Sequence, residues 1–390
     1  MPVAPPAGAT IPLLCFSYFS ELLAYRAGEW WAVGPEVVPL AQPAGFLAGL
    51  ASANSHRASG TGKRPQKGAG ACQWHHAKSN FTRTAYVAAV DRALEYIAAG
   101  DIYQVNLAQR FTVPWEESAA ELYLRLREQS PSDYGAFLGS ALCGGAHTIC
   151  SISPELFLNV NGETIITRPI KGTRPRGSAS EAGRGAAGDA AGRDARARAD
   201  CAARRSLERS EKERAELNMI VDLERNDLGH VCEYGSVRVV SPGEVETLPT
   251  LFHRVATIEG KLRASWTLSE LLAATFPGGS VTGAPKIRAM QIISELERGA
   301  RGPYCGAIGW LGGDRSLELS IAIRTAIVDE RRKEVSYHAG SGIVADSVPQ
   351  QEYEETLHKT AAFFRATAGF RVQGSGFGAR RFSAKRNRQA

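Results

Sequence analysis

The chain has 390 residues, 44% of them hydrophobic, enough for one large domain or two ordinary ones around a substantial core. No apolar run approaches the roughly 18–20 residues of a membrane span, and residues 1–10 lack the charged-then-apolar plan of a signal peptide, so the expectation is a cytoplasmic protein with no membrane association. The net charge of +6 sits at one end: residues 371–390 carry Arg371, Arg380, Arg381, Lys385, Arg386 and Arg388 with no acid, and the rest of the chain balances at 40 against 40, which suits a solvated basic tail over 369–390 rather than a nucleic-acid surface.

Residues 1–80 read as a short N-terminal segment with Trp30 and Trp31, followed by a polar linker over 51–80. Val87, Val90, Leu94 and Ile97 recur at helical spacing and predict a helix over 84–100. Residues 102–113 alternate as a strand, and 157–160 and 164–170 pair as a hairpin through Asn161-Gly162. Residues 178–210 are rich in Ala, Gly and Arg with almost no large apolar side chain and read as a flexible insertion, although 189–210 can be helical because Ala and Arg favour helix. Further helices are predicted over 211–225, from Pro285 to about 296, and over 349–366; buried strands are predicted over 304–311 and 317–328. Strands and helices mix without a βαβ rhythm, so the fold class is α+β, an α/β sandwich of large mixed or antiparallel sheets flanked by helices. The seven cysteines (Cys15, Cys72, Cys143, Cys150, Cys201, Cys232 and Cys305) form no C-x-x-C pair and suit reduced thiols.

Two carboxylate pairs stand out. Glu213 and Glu216 lie three apart on one predicted helix, Glu352 and Glu355 three apart on another, and an i,i+3 pair shares a helix face. Two such faces can make an oxygen-rich site for Mg²⁺, or they can be ordinary solvated faces. Lys171 follows an apolar strand end in a segment dense in arginine; it is a nucleophile if its amine is held neutral, or else a surface lysine. Glu155, before Leu156-Phe157-Leu158, is a general acid if burial raises its pKa, or else a strand-end carboxylate in solvent. FPGGSVTGAPK (276–286) is a Gly-rich loop entering a helix, but not a P-loop. Arg324 inside an apolar run needs an anionic partner, either a substrate carboxylate or an internal Asp or Glu.

Taken together, DIYQVNLAQRF (101–111), SPELFL (153–158), TRPIKGTRPRG (167–177), ERAELNMIVDLERNDLG (213–229), FPGGSVTGAPKIRAM (276–290), YCGAIGWL (304–311), SIAIRT (320–325) and AGSGIVADS (339–347) resemble the chorismate-utilising enzymes, which include anthranilate synthase component I, aminodeoxychorismate synthase component I, isochorismate synthase and salicylate synthase. The resemblance spans about 81–366 and implies an anthranilate synthase component I-like fold, with a catalytic domain over 81–368. Gln104 stands where the water-adding members carry a lysine base, and Gln cannot act as a base. Lys171 stands where anthranilate synthases typically read PIAGT, and the FPGGSVTGAPK loop also resembles the aminodeoxychorismate synthase branch.

The resemblance implies Mg²⁺ held by Glu216 and Glu355, with Glu213 and Glu352 supporting, and chorismate as substrate. It implies that Tyr304 and Arg324 grip the enolpyruvyl carboxylate, with the backbone at Gly340 and Gly342, and that Gln104 and Thr173 line the site. His253 either lines it near the metal or is a structural histidine. Lys171 would attack C2 while Glu155 protonates the departing C4 hydroxyl, and ammonia would come from a separate glutamine amidotransferase subunit. Two alternatives stay open: anthranilate synthase component I, and a shortened paralogue that binds chorismate without turnover. Where family members usually read AENLMIVDL, Leu217 and Asn218 are exchanged here.

Overall fold

A computed structural model of the chain describes residues 22–26, 29–33, 37–40, 77–143, 145–176, 190–248 and 251–368. Most of the predicted 51–80 linker, the first part of the 178–210 insertion and the 369–390 tail lie outside the described residues. Strands β1 (Leu22–Arg26), β2 (Glu29–Val33) and β3 (Val37–Leu40) form a small antiparallel sheet.

The remaining elements run β4 (Lys78–Ser79), α1 (Arg83–Ala98), β5 (Gln104–Pro114), α2 (Ala119–Gln129), β6 (Tyr134–Leu138), β7 (His147–Ser153), β8 (Leu156–Asn161), β9 (Thr164–Arg168), β10 (Ile170–Pro175), α3 (Ala190–Arg209) and α4 (Glu211–Gly229). Then come β11 (Arg238–Thr247), β12 (Leu251–Lys261), α5 (Leu268–Thr275), β13 (Gly283–Ala284), α6 (Lys286–Leu296), β14 (Ala307–Leu311), β15 (Leu317–Ile321), β16 (Thr325–Asp329), β17 (Glu334–Ile343), α7 (Pro349–Lys359) and α8 (Ala361–Thr367). They build two antiparallel seven-stranded sheets. The first has the order β13-β5-β17-β16-β7-β6 with β4 on β5; the second has β10-β12-β9-β8-β15-β14 with β11 on β12.

Local chemistry explains the boundaries. Helix α1 starts at Arg83 because the Thr82 side chain accepts from the Ala85 amide, and it buries Tyr86, Ala89, Val90 and Ala93, so Val87 sits at the edge of the predicted stripe rather than within it. Gly162 takes the left-handed conformation (φ +62°) that the β8–β9 turn requires. Apolar clusters fill three places: around the second sheet with α4 and α5, beneath α2 and α8 on the first sheet, and beneath α1 and α6.

Two predicted elements differ from those observed, and the helix allowed over 189–210 is present. The 317–328 run is two strands, because the chain leaves the second sheet after Ile321 and enters the first at Thr325. The last helix breaks at Thr360 into α7 and α8. Part of the 178–210 insertion is ordered: α3 is pinned by Arg254, whose guanidinium donates to the Leu207 and Glu208 carbonyls at 2.5 and 2.8 Å, and by the Arg176–Asp200 ion pair at 2.8 Å. Apart from the fully buried Leu207 its anchors are polar, and one apolar residue makes no periodicity.

Candidate active site

The chain passes between the two sheets at 154–155 and again at 322–324, and the crossings lie side by side. The Ile321 amide donates to the Glu155 carbonyl at 3.1 Å and the Ile152 amide to the Arg324 carbonyl at 3.2 Å. Glu155 and Arg324 therefore sit at the seam of the sandwich. Glu155 is only 4% exposed, and burial raises its pKa; the Ser280 hydroxyl, Lys171, the Ile170 amide and Arg324 oppose that rise without cancelling it. Arg324 holds a left-handed backbone (φ +49°), an uncommon conformation for a residue with a side chain. Burial lowers its pKa, and its guanidinium donates to the Ser130 hydroxyl at 3.4 Å rather than forming an ion pair with a described carboxylate. The internal acid that acts on it is Glu155, whose charge opposes the fall without forming an ion pair with it.

Lys171 leaves β10 toward the same seam. Its Nζ donates to the Ser280 carbonyl at 3.4 Å, and no described carboxylate forms an ion pair with it. Burial lowers its pKa; Glu216 opposes the shift and Lys359 adds to it. Across from it, on the first sheet, Gln104 is fully buried, and neither atom of its side-chain amide has a hydrogen-bond partner. Such a group costs about 1–3 kcal/mol, a cost that ligand-binding sites carry so that the ligand can meet it. Gly342 brings the two together, since a Cβ there would lie 3.0 Å from Gln104 Nε2 and 3.5 Å from Lys171 Nζ. Next to Lys171, Gly172 (φ +86°) lets α3 and α4 approach: a Cβ there would come within 2.7 Å of Leu207 Cδ1 and 2.9 Å of Glu213 Oε2. Gly340 is held through its carbonyl, which accepts from Lys359 Nζ at 2.8 Å.

The two carboxylate helices, α4 and α7, bring their pairs near one another, and two lysines lie among the acids. Lys212 lies 3.9 Å from Glu216 and 3.7 Å from Glu352; Lys359 pairs with Glu355 at 2.7 Å; Glu213 pairs with Arg174 at 2.7 Å. Glu352 also accepts from the Ser347 hydroxyl at 2.7 Å. Burial raises the Glu216 pKa, aided by Glu355 and Glu352 and opposed by Lys171 and Lys212. Burial acts the same way on Glu355, but Lys359, Lys212 and Lys171 outweigh it and hold that carboxyl below its ordinary value. Among the described residues no three acidic, His or Cys groups already form a coordination sphere. The donor chemistry still fits a hard divalent cation: every candidate is a carboxylate, and Glu213 Oε2 is buried with no hydrogen-bond partner.

Thr173 and His253 meet across β10 and β12, Oγ1 to Nδ1 at 2.8 Å. Burial and then the Arg324 charge push the His253 pKa down to about 4, so the ring is neutral, with a buried Nε2 that has no partner. Tyr304 sits in the packed interior. It stacks on His338 (5.1 Å, 12°), Arg301 lies over its ring at 5.7 Å, and Cys305 is beside its hydroxyl. The exchange at 217–218 is benign on the helix: Leu217 faces the core, 1% exposed, and Asn218 faces solvent.

Sequence reasoning missed Lys212, Lys359, Ser280 and Glu224. Glu224 carried a signal: it continues the apolar stripe Leu217, Ile220, Val221, Leu228 of α4, where a carboxyl is out of place. The lysines read as ordinary i,i+4 partners of glutamates.

The sequence profile of the chorismate binding enzymes matches residues 3–365. This chain belongs to that family. It is 43% identical over 289 residues to anthranilate synthase component 1 of Thermus thermophilus, covering 74% of this chain and 58% of that protein. It is 40% identical over 286 residues to aminodeoxychorismate synthase component 1 of Bacillus subtilis, covering 73% of this chain and 56% of that protein. The chain thus spans a little over half the length of these relatives. Its fold matches the crystal structure of anthranilate synthase component I from Streptococcus pneumoniae with a TM-score of 0.63 at 30% identity, over 86% of this chain and 72% of that one. It also matches the menaquinone-specific isochorismate synthase of Escherichia coli with a TM-score of 0.61 at 20% identity, over 87% and 74%, a likeness of fold alone. Among the described residues no helix is long and apolar enough to cross a membrane.

Proposed function

We propose that this protein is component I of an aminodeoxychorismate synthase, which replaces the C4 hydroxyl of chorismate with an amino group on the way to 4-aminobenzoate and folate. One observation carries the branch assignment: a partly desolvated Lys171 without an ion-pair partner, facing the unpartnered amide of Gln104 across Gly342. The lowered pKa suits Lys171 to attack C2 as a free amine. Glu155, whose pKa burial raises, delivers its proton to the C4 oxygen as the C4–O bond breaks and water leaves. Ammonia then adds at C4 and displaces the lysine from C2, so the enolpyruvyl ether survives. Arg324, which forms no ion pair with a described carboxylate, binds a substrate carboxylate.

Glu216 and Glu355, supported by Glu213 and Glu352, would hold Mg²⁺, which when bound neutralises the ring carboxylate of chorismate. The ammonia source is a glutamine amidotransferase subunit, in keeping with the component-type names of the relatives. The second reading, anthranilate synthase component I, is favoured by the 43% identity to the Thermus protein. Incubating the chain with chorismate, Mg²⁺ and excess ammonium, and identifying products by mass spectrometry, separates them. 4-Amino-4-deoxychorismate supports the proposal, and anthranilate with pyruvate overturns it.

A further inference from the structure

One edge of β5 is only partly covered by strands. β13 pairs with it at Gln104 and Val105, and β4 pairs with it at Phe111 and Thr112. Between those two registers the edge is met by side chains instead. The Ala108 amide donates to Glu297 Oε1 at 2.9 Å, and the Asn106 carbonyl accepts from Arg301 Nη2 at 2.7 Å. Glu297 caps the C-terminal end of α6, and Arg301 follows four residues later. Their side chains are only 7% and 14% exposed, so this is not a solvated surface pair. Arg301 grips Glu297 with two donors, Nε to Oε2 at 2.9 Å and Nη2 to Oε1 at 2.5 Å, and turns Nη1 to the Val281 carbonyl at 2.9 Å. A planar guanidinium reaches these directions at once, and an ammonium cannot.

Val281 belongs to the Gly-rich loop, and its neighbours reach both sides of the gap between Lys171 and Gln104. The Ser280 carbonyl accepts from Lys171 Nζ at 3.4 Å. The Thr282 carbonyl accepts from the Asn106 amide and the Ala284 carbonyl from the Tyr103 amide, each at 2.7 Å, on either side of Gln104. A Cβ on Gly283 would lie 2.2 Å from the Gln104 carbonyl oxygen, so the loop and β5 are in direct contact there. We propose that the Glu297–Arg301 pair replaces a missing stretch of strand beside β5, and that Arg301 is a positioning residue: by holding Val281 and Asn106 together it sets the spacing of Lys171 and Gln104. The proposal rests on the reading above for the role of Lys171. Arg301 donates to two backbone carbonyls and a glutamate, so its action on the chemistry runs through the loop.

The first test needs no turnover. Arg301→Lys keeps the charge and loses the fork. In residue-resolved hydrogen exchange, the Asn106 and Ala108 amides should exchange about tenfold or more faster in the variant, since a lost charge-assisted hydrogen bond is worth about that much. Amides of β7 and β16, farther across the same sheet, should keep their wild-type rates. Unchanged rates at Asn106 and Ala108, or an equal acceleration in β7 and β16, overturn the strand replacement. If Arg301→Lys does not fold, Glu297→Gln removes the ion pair while keeping an acceptor for the Ala108 amide; faster exchange is then expected at Asn106, and an unchanged rate there overturns the proposal. With chorismate, Mg²⁺ and ammonium, Arg301→Lys should lower kcat by about 10–100-fold, the cost of a displacement of about 1 Å, while KM for chorismate and the Mg²⁺ requirement stay near wild type. Local exchange with an unchanged kcat, or a loss confined to KM, overturns the positioning role. A wild-type chain that turns nothing over defeats the functional reading and the positioning role with it, while the exchange result still decides the strand replacement.

Discussion

The protein holds two groups of carboxyls in contrasting environments. On α4 and α7, Glu213, Glu216, Glu352 and Glu355 are met by Arg174, Lys212 and Lys359 at 2.7 to 3.9 Å. At the seam between the sheets, Glu155 and Glu224 have no ion-pair partner among the described residues, and Lys171 beside them has none either. The same residue type is thereby given two jobs. Among the carboxyls matched by cations, Glu355 is held below its ordinary value by Lys359, Lys212 and Lys171 even though burial still raises Glu216, and the group can exchange its cations for a metal ion. Carboxyls buried without a direct ion pair are pushed toward their protonated form despite the cations nearby, and Glu155 among them can donate. The Lys171 pKa moves the opposite way under the same burial, so one seam disfavours the charged form of an amine and of a carboxyl together.

The sharpest way to break this contrast is to remove a member of the seam. Lys171→Ala should lower kcat for amination by about three orders of magnitude or more, since loss of a nucleophile removes the covalent route. Glu155→Gln should cost about 10²–10⁴-fold in kcat, the worth of a general acid, with KM for chorismate little changed. On the wild type, steady-state rates should rise with pH as Lys171 loses its proton through a lowered pKa and fall as the acid loses its own through a raised one, giving a bell. A profile that only rises would remove Glu155 from the acid role.

At the helix pair, Glu216→Gln should raise the Mg²⁺ concentration needed for half-maximal rate by about 10–100-fold, with the rate at saturating Mg²⁺ largely restored. An unchanged Mg²⁺ requirement would place the ion elsewhere.

A further expectation concerns stability. Glu224 in the folded protein keeps its proton to about 8, whereas unfolded glutamate releases it near 4.5, so the folded state binds the extra proton between those values. Stability should therefore decline as pH rises through that window, by up to about 1.4 kcal/mol per pH unit from this group, and Glu224→Gln should flatten the decline in urea titrations. A wild type and variant with parallel pH dependence would show that Glu224 ionises freely.

How much of this was legible in the sequence follows from what each feature depends on. The α4 and α7 pairs were readable because helical spacing alone brings positions 213 and 216, or 352 and 355, onto one face. The β8–β9 hairpin was readable from Asn161-Gly162. The seam was not: residues 317–328 form one apolar run, and nothing in apolarity distinguishes a strand from two strands in different sheets. Only the left-handed backbone at Arg324 and its hydrogen bond to Ile152 reveal the crossing. Likewise Lys171 and Gln104 are 67 positions apart in sequence, and they meet because Gly342 leaves room between two sheets that periodicity cannot orient. Helix α3 was half legible, its composition permitting helix and its anchors, the Arg254 and Arg176 contacts and the buried Leu207, lying outside any pattern.

The central claim is that Lys171 carries the substrate. Incubating the chain with chorismate and Mg²⁺ in ammonium-free buffer, followed by intact and peptide mass spectrometry, tests it directly. The account predicts an adduct of chorismate less one water on the peptide containing Lys171, absent in Lys171→Ala and discharged when ammonium is added. Turnover with ammonium but no trace of the adduct, or an adduct that persists in Lys171→Ala, would contradict it.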